Sequence, residues 1–175
     1  MGFEDESGIS EKPTVRTTWA PVGKTPFLQS SGSWKKLTMV GVLVTTPEGR
    51  HSKLFIRTIA GGLNAEETIR FLKDLRRHLR GRKLLLIWDG LPAHRARVVT
   101  AYVKTQSSWL RTARLPSYAP DVNPIEYCWG AMKKKQLGNL RAEGMRGLGS
   151  AVRKAKLAMN DNDLLHGCLT ASGLY

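Results

Sequence analysis

Several common classes are excluded by what the sequence has little of. Two cysteines, Cys128 and Cys168, stand among 175 residues. They are too few for a disulfide framework and have no paired Cys/His spacing for zinc, so both are read as packing residues in a reducing compartment. No apolar run approaches the roughly 18 residues of a membrane-spanning helix. The opening "MGFEDESGIS" is acidic and lacks the basic segment and apolar core of a signal peptide. The expectation is a cytoplasmic, soluble protein with no membrane partner. Acids are scarce as well, 14 against 28 lysines and arginines, for a net charge of +14. Because the basic residues recur along most of the chain, they point to a broad face for a polyanion, nucleic acid before membrane. The length fits one domain with a sizeable core and leaves no room for a second. There is no internal repeat and no low-complexity segment.

Hydropathy patterning orders the chain. "MGFEDE" reads as a very short strand, and "SGISEKPTVRTTWAPVGKTPFLQSSGS", rich in turn formers, as a long connection. "WKKLTMVGVLVTT", "PEGR" and "HSKLFIRTIAG" form two β-rich runs around a turn signal, predicting an antiparallel hairpin. In "NAEETIRFLKDLRRHLRG", Asn64 suits an N-cap with Glu67 three residues on. Ile69, Leu72, Leu75 and Leu79 fall on one face, and Gly81 is a stop. "RKLLLIWD" is nearly all apolar, as in a strand covered on both faces. "PAHRARVVTAYVKTQ" then predicts a helix, "WLRTARLP" a short strand, and the remainder helices broken at Gly138 and near Asn160. The order implies an α/β protein, a mixed sheet with flanking helices.

Asp89 ends the buried strand, at the sheet edge where open α/β folds build their sites. It equally suits a turn before Gly90 and Pro92. Asp5 lies in the first strand and Glu126 in the first turn of a helix opened by Asn123 and Pro124, where an acid is favourable in any case. Together the three offer an oxygen-only site, suited to Mg²⁺ or Mn²⁺. Two such ions about 4 Å apart can activate a nucleophile and stabilise the leaving oxygen at phosphorus.

The segments "EDESG", "RTTWAPVGKTP", "LLLIWDGLPAH" and "LPSYAPDVNPIEYCWGAMKKK" carry a resemblance that spans about residues 3 to 160. The sequence resembles the catalytic domain of DDE transposases, in the bacterial insertion-sequence branch of the mariner-type superfamily. The resemblance implies a ribonuclease H-like, retroviral integrase-like mixed sheet. It implies an endonuclease and polynucleotidyl transferase that cleaves double-stranded DNA at transposon ends and joins the 3′-OH ends to target DNA at a TA dinucleotide. Its first catalytic Asp falls on Asp5, its second on Asp89 and its third acid on Glu126, with 36 residues between the last two. These would hold two Mg²⁺ or Mn²⁺ ions. A homodimer is implied too. Residues 1–160 would be the catalytic domain and 161–175 a C-terminal helical tail. Members carry a helix-turn-helix region upstream, whereas only four residues precede Asp5 here. The first strand is therefore read as clipped, and end recognition is assigned to a possible separate helix-turn-helix polypeptide. A truncated, inactive fragment that only binds DNA non-specifically or oligomerises is the alternative, and a ribonuclease acting on RNA–DNA hybrids a third reading that rests on fold alone.

Neighbouring residues are weighed beside these. His94, five positions after Asp89, suits a role supporting that acid, by orienting a water or a phosphate, or a locally satisfied ring. Asp121 suits a turn rather than a metal. Glu6 alternates with Asp5, so their side chains point to opposite faces of a strand. Asn123 and Pro124 set the entry of the helix bearing Glu126. Trp129 reads as core, and Lys133 and Lys134 as phosphate contacts. The run Arg76 to Lys83 reads as a solvated helix end.

Overall fold

The computed structural model describes residues 1–12, 14–27, 35–116 and 120–175. Part of the first connection (28–33), Trp34 at the head of the first hairpin run, and Tyr118 and Ala119 of the "YAP" segment lie outside the described residues. Among the described residues, five strands form one mixed sheet in the order β3-β2-β1-β4-β5. The strands are β1 (Gly2–Ser10), β2 (Lys36–Thr45), β3 (Ser52–Ala60), β4 (Leu84–Trp88) and β5 (Leu110–Arg114). The helices are α1 (Ala65–Leu79), α2 (Pro92–Arg95), α3 (Arg97–Thr105), α4 (Pro124–Lys135), α5 (Gly144–Met159) and α6 (Asn162–Ala171). The hairpin, α1, β4, β5 and the break at Asn160 follow the sequence pattern. Asn64 caps α1 by accepting from the Glu67 N–H at 2.9 Å. The helix ends on Arg80 in the left-handed region (φ 50°), one residue before Gly81.

β1 departs most from expectation. It is not short: nine residues pair antiparallel with β2, from Gly2↔Val44 to Ser10↔Lys36, and its start pairs parallel with β4. The turn-forming composition of "SGIS" is overridden by the hydrogen bonds that β2 supplies, since local propensity is a weak guide once a partner strand exists. Asp5 consequently lies in the middle strand of the sheet.

Alternation along the strands divides the core into two layers. Phe3, Met39, Leu43 and Leu54 face Ile125 and Trp129 of α4, Val152 of α5, and Leu165 and Leu169 of α6. Val40, Val42, Leu84, Leu86 and Trp88 face Phe71, Leu72 and Leu75 of α1 and Val99 of α3. β4 is not covered on both faces as its apolar run implied. Leu84, Leu86 and Trp88 are buried, but Leu85 is exposed and Ile87 only half-buried. The single helix expected after Asp89 is two, broken at Ala96, whose ψ of 137° is not helical.

Candidate active site

Asp5 and Asp89 meet through sheet register. The parallel pairs Gly2↔Leu86 and Phe3↔Ile87, carried forward, bring Asp89 level with Asp5 just beyond the end of β4. Asp5 shares the side-chain parity of Phe3 and faces α4. There the indole of Trp129, 1% exposed, donates from Nε1 to Asp5 Oδ2 at 2.9 Å. Space for that indole comes from Gly41, the cross-strand partner of Asp5 in β2. A Cβ at Gly41 would stand 2.5 Å from Trp129 Cη2. No side chain larger than hydrogen lets the ring lie there.

Glu126, on the exposed side of the first turn of α4, completes this face. Burial foremost, then the charge of Glu126, push the Asp5 carboxyl up from its ordinary 3.8 to about 7, against the hydrogen bonds from backbone and Trp129. Two carboxylates set side by side in a half-buried place repel, and the repulsion is what a cation relieves. Asn123 begins α4 without capping it. Its amide Nδ2 instead donates to the backbone carbonyl of Glu4 at 3.2 Å, which ties the helix start to β1. Tyr127 of the same helix donates its hydroxyl to the Asp121 backbone carbonyl at 3.3 Å, and Asp121 lines the same cavity as Glu126.

Asp89 is held from the other side. Its Oδ1 accepts from the Leu91 N–H at 2.8 Å and from His94 Nδ1 at 2.9 Å. His94 is 5% exposed and its ring stacks on Trp88, with 4.4 Å between centroids. Such a ring cannot reach a phosphate; it orients Asp89. The outer oxygen and much of the carboxylate remain open, the side chain being 47% exposed. The oxygens of Asp5, Asp89 and Glu126 do not converge as tightly as another group does. Among the described residues, the one set of three acids or imidazoles with ligand atoms within 4.8 Å of one another is Glu4, Glu6 and His94.

That cluster occupies the opposite face of β1, as strand alternation requires. Glu6 therefore points away from Asp5, as read from the sequence. Glu4 and its buried carboxylate went unremarked, although "FEDE" placed it two residues from Glu6. Burial, then the charges of Glu6, Asp5 and Asp89, hold the Glu4 carboxyl well above its usual range.

The basic residues of α4 divide between two grooves. Lys134 and Lys135 line a cavity of about 610 Å³ with Glu126, Tyr127, Gly130 and Ala131. Lys133 lines a smaller one, about 120 Å³, with Gly8, Ile9 and Lys12 at the far end of β1. Lys133 and Lys134 thus line different grooves.

Residues 1–145 match the family described as DDE superfamily endonuclease, and the chain belongs to that family. Among solved structures, the Mos1 transposase paired-end complex with left transposon end is 18% identical with a TM-score of 0.71, over 99% of this chain and 55% of that chain. The mariner Mos1 paired-end complex with Mg is 19% identical, TM-score 0.67, over 98% and 53%. The isolated catalytic domain of Mos1 mariner transposase is 17% identical, TM-score 0.67, over 99% and 82%. This likeness shows the fold, the ribonuclease H-like sheet expected above. The chain spans about half the length of the Mos1 chains in the paired-end complexes. No curated protein matches it.

Proposed function

We propose that this chain is the catalytic domain of a DNA transposase of the insertion-sequence branch, cleaving transposon ends and joining the freed 3′-OH to target DNA, with Asp5, Asp89 and Glu126 as its acids. The observation that carries the reading is the placement of Asp5. It lies in the middle strand, level with Asp89, close enough to Glu126 to feel its charge, and held by Trp129. The oxygen-only donor set and the raised Asp5 carboxyl fit Mg²⁺ or Mn²⁺, which Asp5, Asp89 and Glu126 would hold. The Mos1 complex with Mg adds support from a protein of the same fold. Bound there, such ions would neutralise phosphate charge and lower the pKa of an attacking water or 3′-hydroxyl.

The chain's own residues supply position and charge. Trp129 fixes the Asp5 carboxylate and His94 that of Asp89, so neither acid must be ordered during the reaction. Asn123 sets where α4, and hence Glu126, begins relative to β1. Lys134 and Lys135, in the groove that Glu126 shares, offer cations to the DNA backbone. Residues 1–160 constitute the catalytic domain, and the protein acts as a homodimer on double-stranded DNA. The family match over residues 1–145 and the likeness in fold to the Mos1 transposase structures favour this reading over an inactive fragment.

Mg²⁺-dependent nicking of plasmid DNA tests the assignment. Asp89→Asn and Glu126→Gln are expected to abolish cleavage while the circular dichroism spectrum and DNA affinity stay close to those of the parent. Asp121→Asn is expected to cleave normally. Full activity in Asp89→Asn would refute the assignment.

A further inference from the structure

A second group of ligand atoms lies behind the proposed active site and shares with it only His94, whose Nδ1 holds Asp89. Glu4 on β1 is 1% exposed, His94 on α2 is 5% exposed, and the Glu6 side chain is 16% exposed. His94 Nε2 stands 3.5 Å from Glu4 Oε2 and 3.5 Å from Glu6 Oε1. These three atoms and Glu4 Oε1 are buried without a hydrogen-bond partner. A bare buried carboxylate is costly unless something positive faces it. Asp89 Oδ1 accepts the Nδ1 proton of the ring. The ring's other nitrogen, Nε2, faces the carboxylates of Glu4 and Glu6.

The spacing is that of ligands around an ion. With metal–nitrogen and metal–oxygen bonds of about 2.0–2.2 Å, neighbouring ligands of a tetrahedral centre stand about 3.4 Å apart. Both His94 distances match that edge. The outer arrangement matches as well, since a metal-bound histidine commonly gives its other ring N–H to a carboxylate. Here that carboxylate is Asp89. We infer that Glu4, Glu6 and His94 form a separate site for a borderline divalent transition ion, Zn²⁺ before Mg²⁺, on the face of β1 opposite Asp5. The imidazole donor selects against Mg²⁺, which prefers oxygen alone. Occupancy clips β1 to α2 and locks the ring that orients Asp89, so the site acts on the reaction by positioning.

The site stands independently of the proposed reaction and is tested without it. The metal-stripped chain is titrated with Co²⁺, read by visible absorption, and with Zn²⁺, read by calorimetry. The double variant Asp5→Asn/Glu126→Gln removes the other acidic face. It is expected to bind one equivalent of either ion, with Zn²⁺ displacing Co²⁺. Glu4→Gln and, at the less buried position, Glu6→Gln are each expected to weaken that binding at least a hundredfold in chains whose circular dichroism is unchanged. Two results overturn the inference: no stoichiometric binding of either ion, which leaves a shared proton to fill the cluster, or binding lost in Asp5→Asn/Glu126→Gln and kept in both Glu variants.

Discussion

Trp129 links packing to chemistry at the scale of single residues. Its ring fills the layer between β2 and α4 while its N–H holds Asp5. Hydrogen bonds to charged groups contribute about 1.5–3 kcal/mol. If that energy is spent on positioning, its loss costs roughly 10- to 100-fold in rate. Trp129→Phe is therefore expected to lower the nicking rate by that factor with DNA affinity unchanged; an unaltered rate would show that the contact is only packing. Asp5 makes a prediction about pH. Its folded pKa, about 7, lies above the ordinary 3.8, so the carboxyl favours folding least when ionised. The penalty begins as pH rises past about 4 and is complete above about 7. Asp5→Asn keeps an oxygen for the Trp129 N–H. In cation-free buffer it is expected to raise the melting temperature most above pH 7 and least below pH 4, and equal gains at both ends would contradict the shifted carboxyl.

Elements meet at two places where one residue decides the fit. Gly41 is the first: its missing side chain admits the Trp129 ring onto β2. Gly41→Ala is expected to destabilise the fold by about 1–3 kcal/mol, the usual cost of overpacking, with a shift in tryptophan emission as the indole moves. Unchanged denaturation and emission would mean that the ring has room to spare. The second is the outer edge of β3. Asn160, between α5 and α6, accepts from the Leu54 N–H at 2.8 Å and donates to the Leu54 carbonyl at 3.1 Å, as a neighbouring strand would. Asn162 accepts from the Ser52 N–H at 3.0 Å. The two side chains close an edge that would otherwise be free to pair with another chain. Loss of both bonds to Leu54, and of a third from Asn160 Nδ2 to the Lys156 carbonyl, in Asn160→Ala is expected to cost about 1–3 kcal/mol, measured by urea denaturation.

For the whole molecule, the charge of +14 makes the proposed DNA binding an electrostatic matter. Each phosphate neutralised contributes about 0.9 to the slope of log affinity against log salt. Lys134→Ala is expected to reduce that slope by about 0.9 and to weaken all sequences alike, because Lys134 shares the groove of Glu126. Lys133 opens toward the far end of β1. Lys133→Ala is expected to change the slope less, and equal effects would merge the two grooves into one surface. Binding by phosphate contacts alone predicts dissociation constants of roughly 10⁻⁴ to 10⁻⁶ M at physiological salt with little preference among duplexes. A hundredfold preference for an inverted-repeat duplex over a scrambled one would place sequence reading in this domain.

Patterns of short range were legible in the sequence alone. Strand alternation separated Asp5 from Glu6, hydrophobic runs marked the hairpin, α1 and β4, and the motif blocks singled out three candidate acids, because each signal lies within a few residues of chain. Contacts between distant segments were not. That "SGIS" extends β1, that Gly41 exists to admit Trp129, that Asn123 bonds β1 rather than its own helix, and that Lys133 and Lys134 part company all depend on surfaces brought together by the sheet. The same holds for Glu4, Glu6 and His94: an acidic pair and a histidine nearly 90 positions later become neighbours only because β1 lies beside β4 and α2 folds back over its end. Local pattern determined which elements form and which way their side chains face; the order of strands in the sheet decided which of those side chains meet.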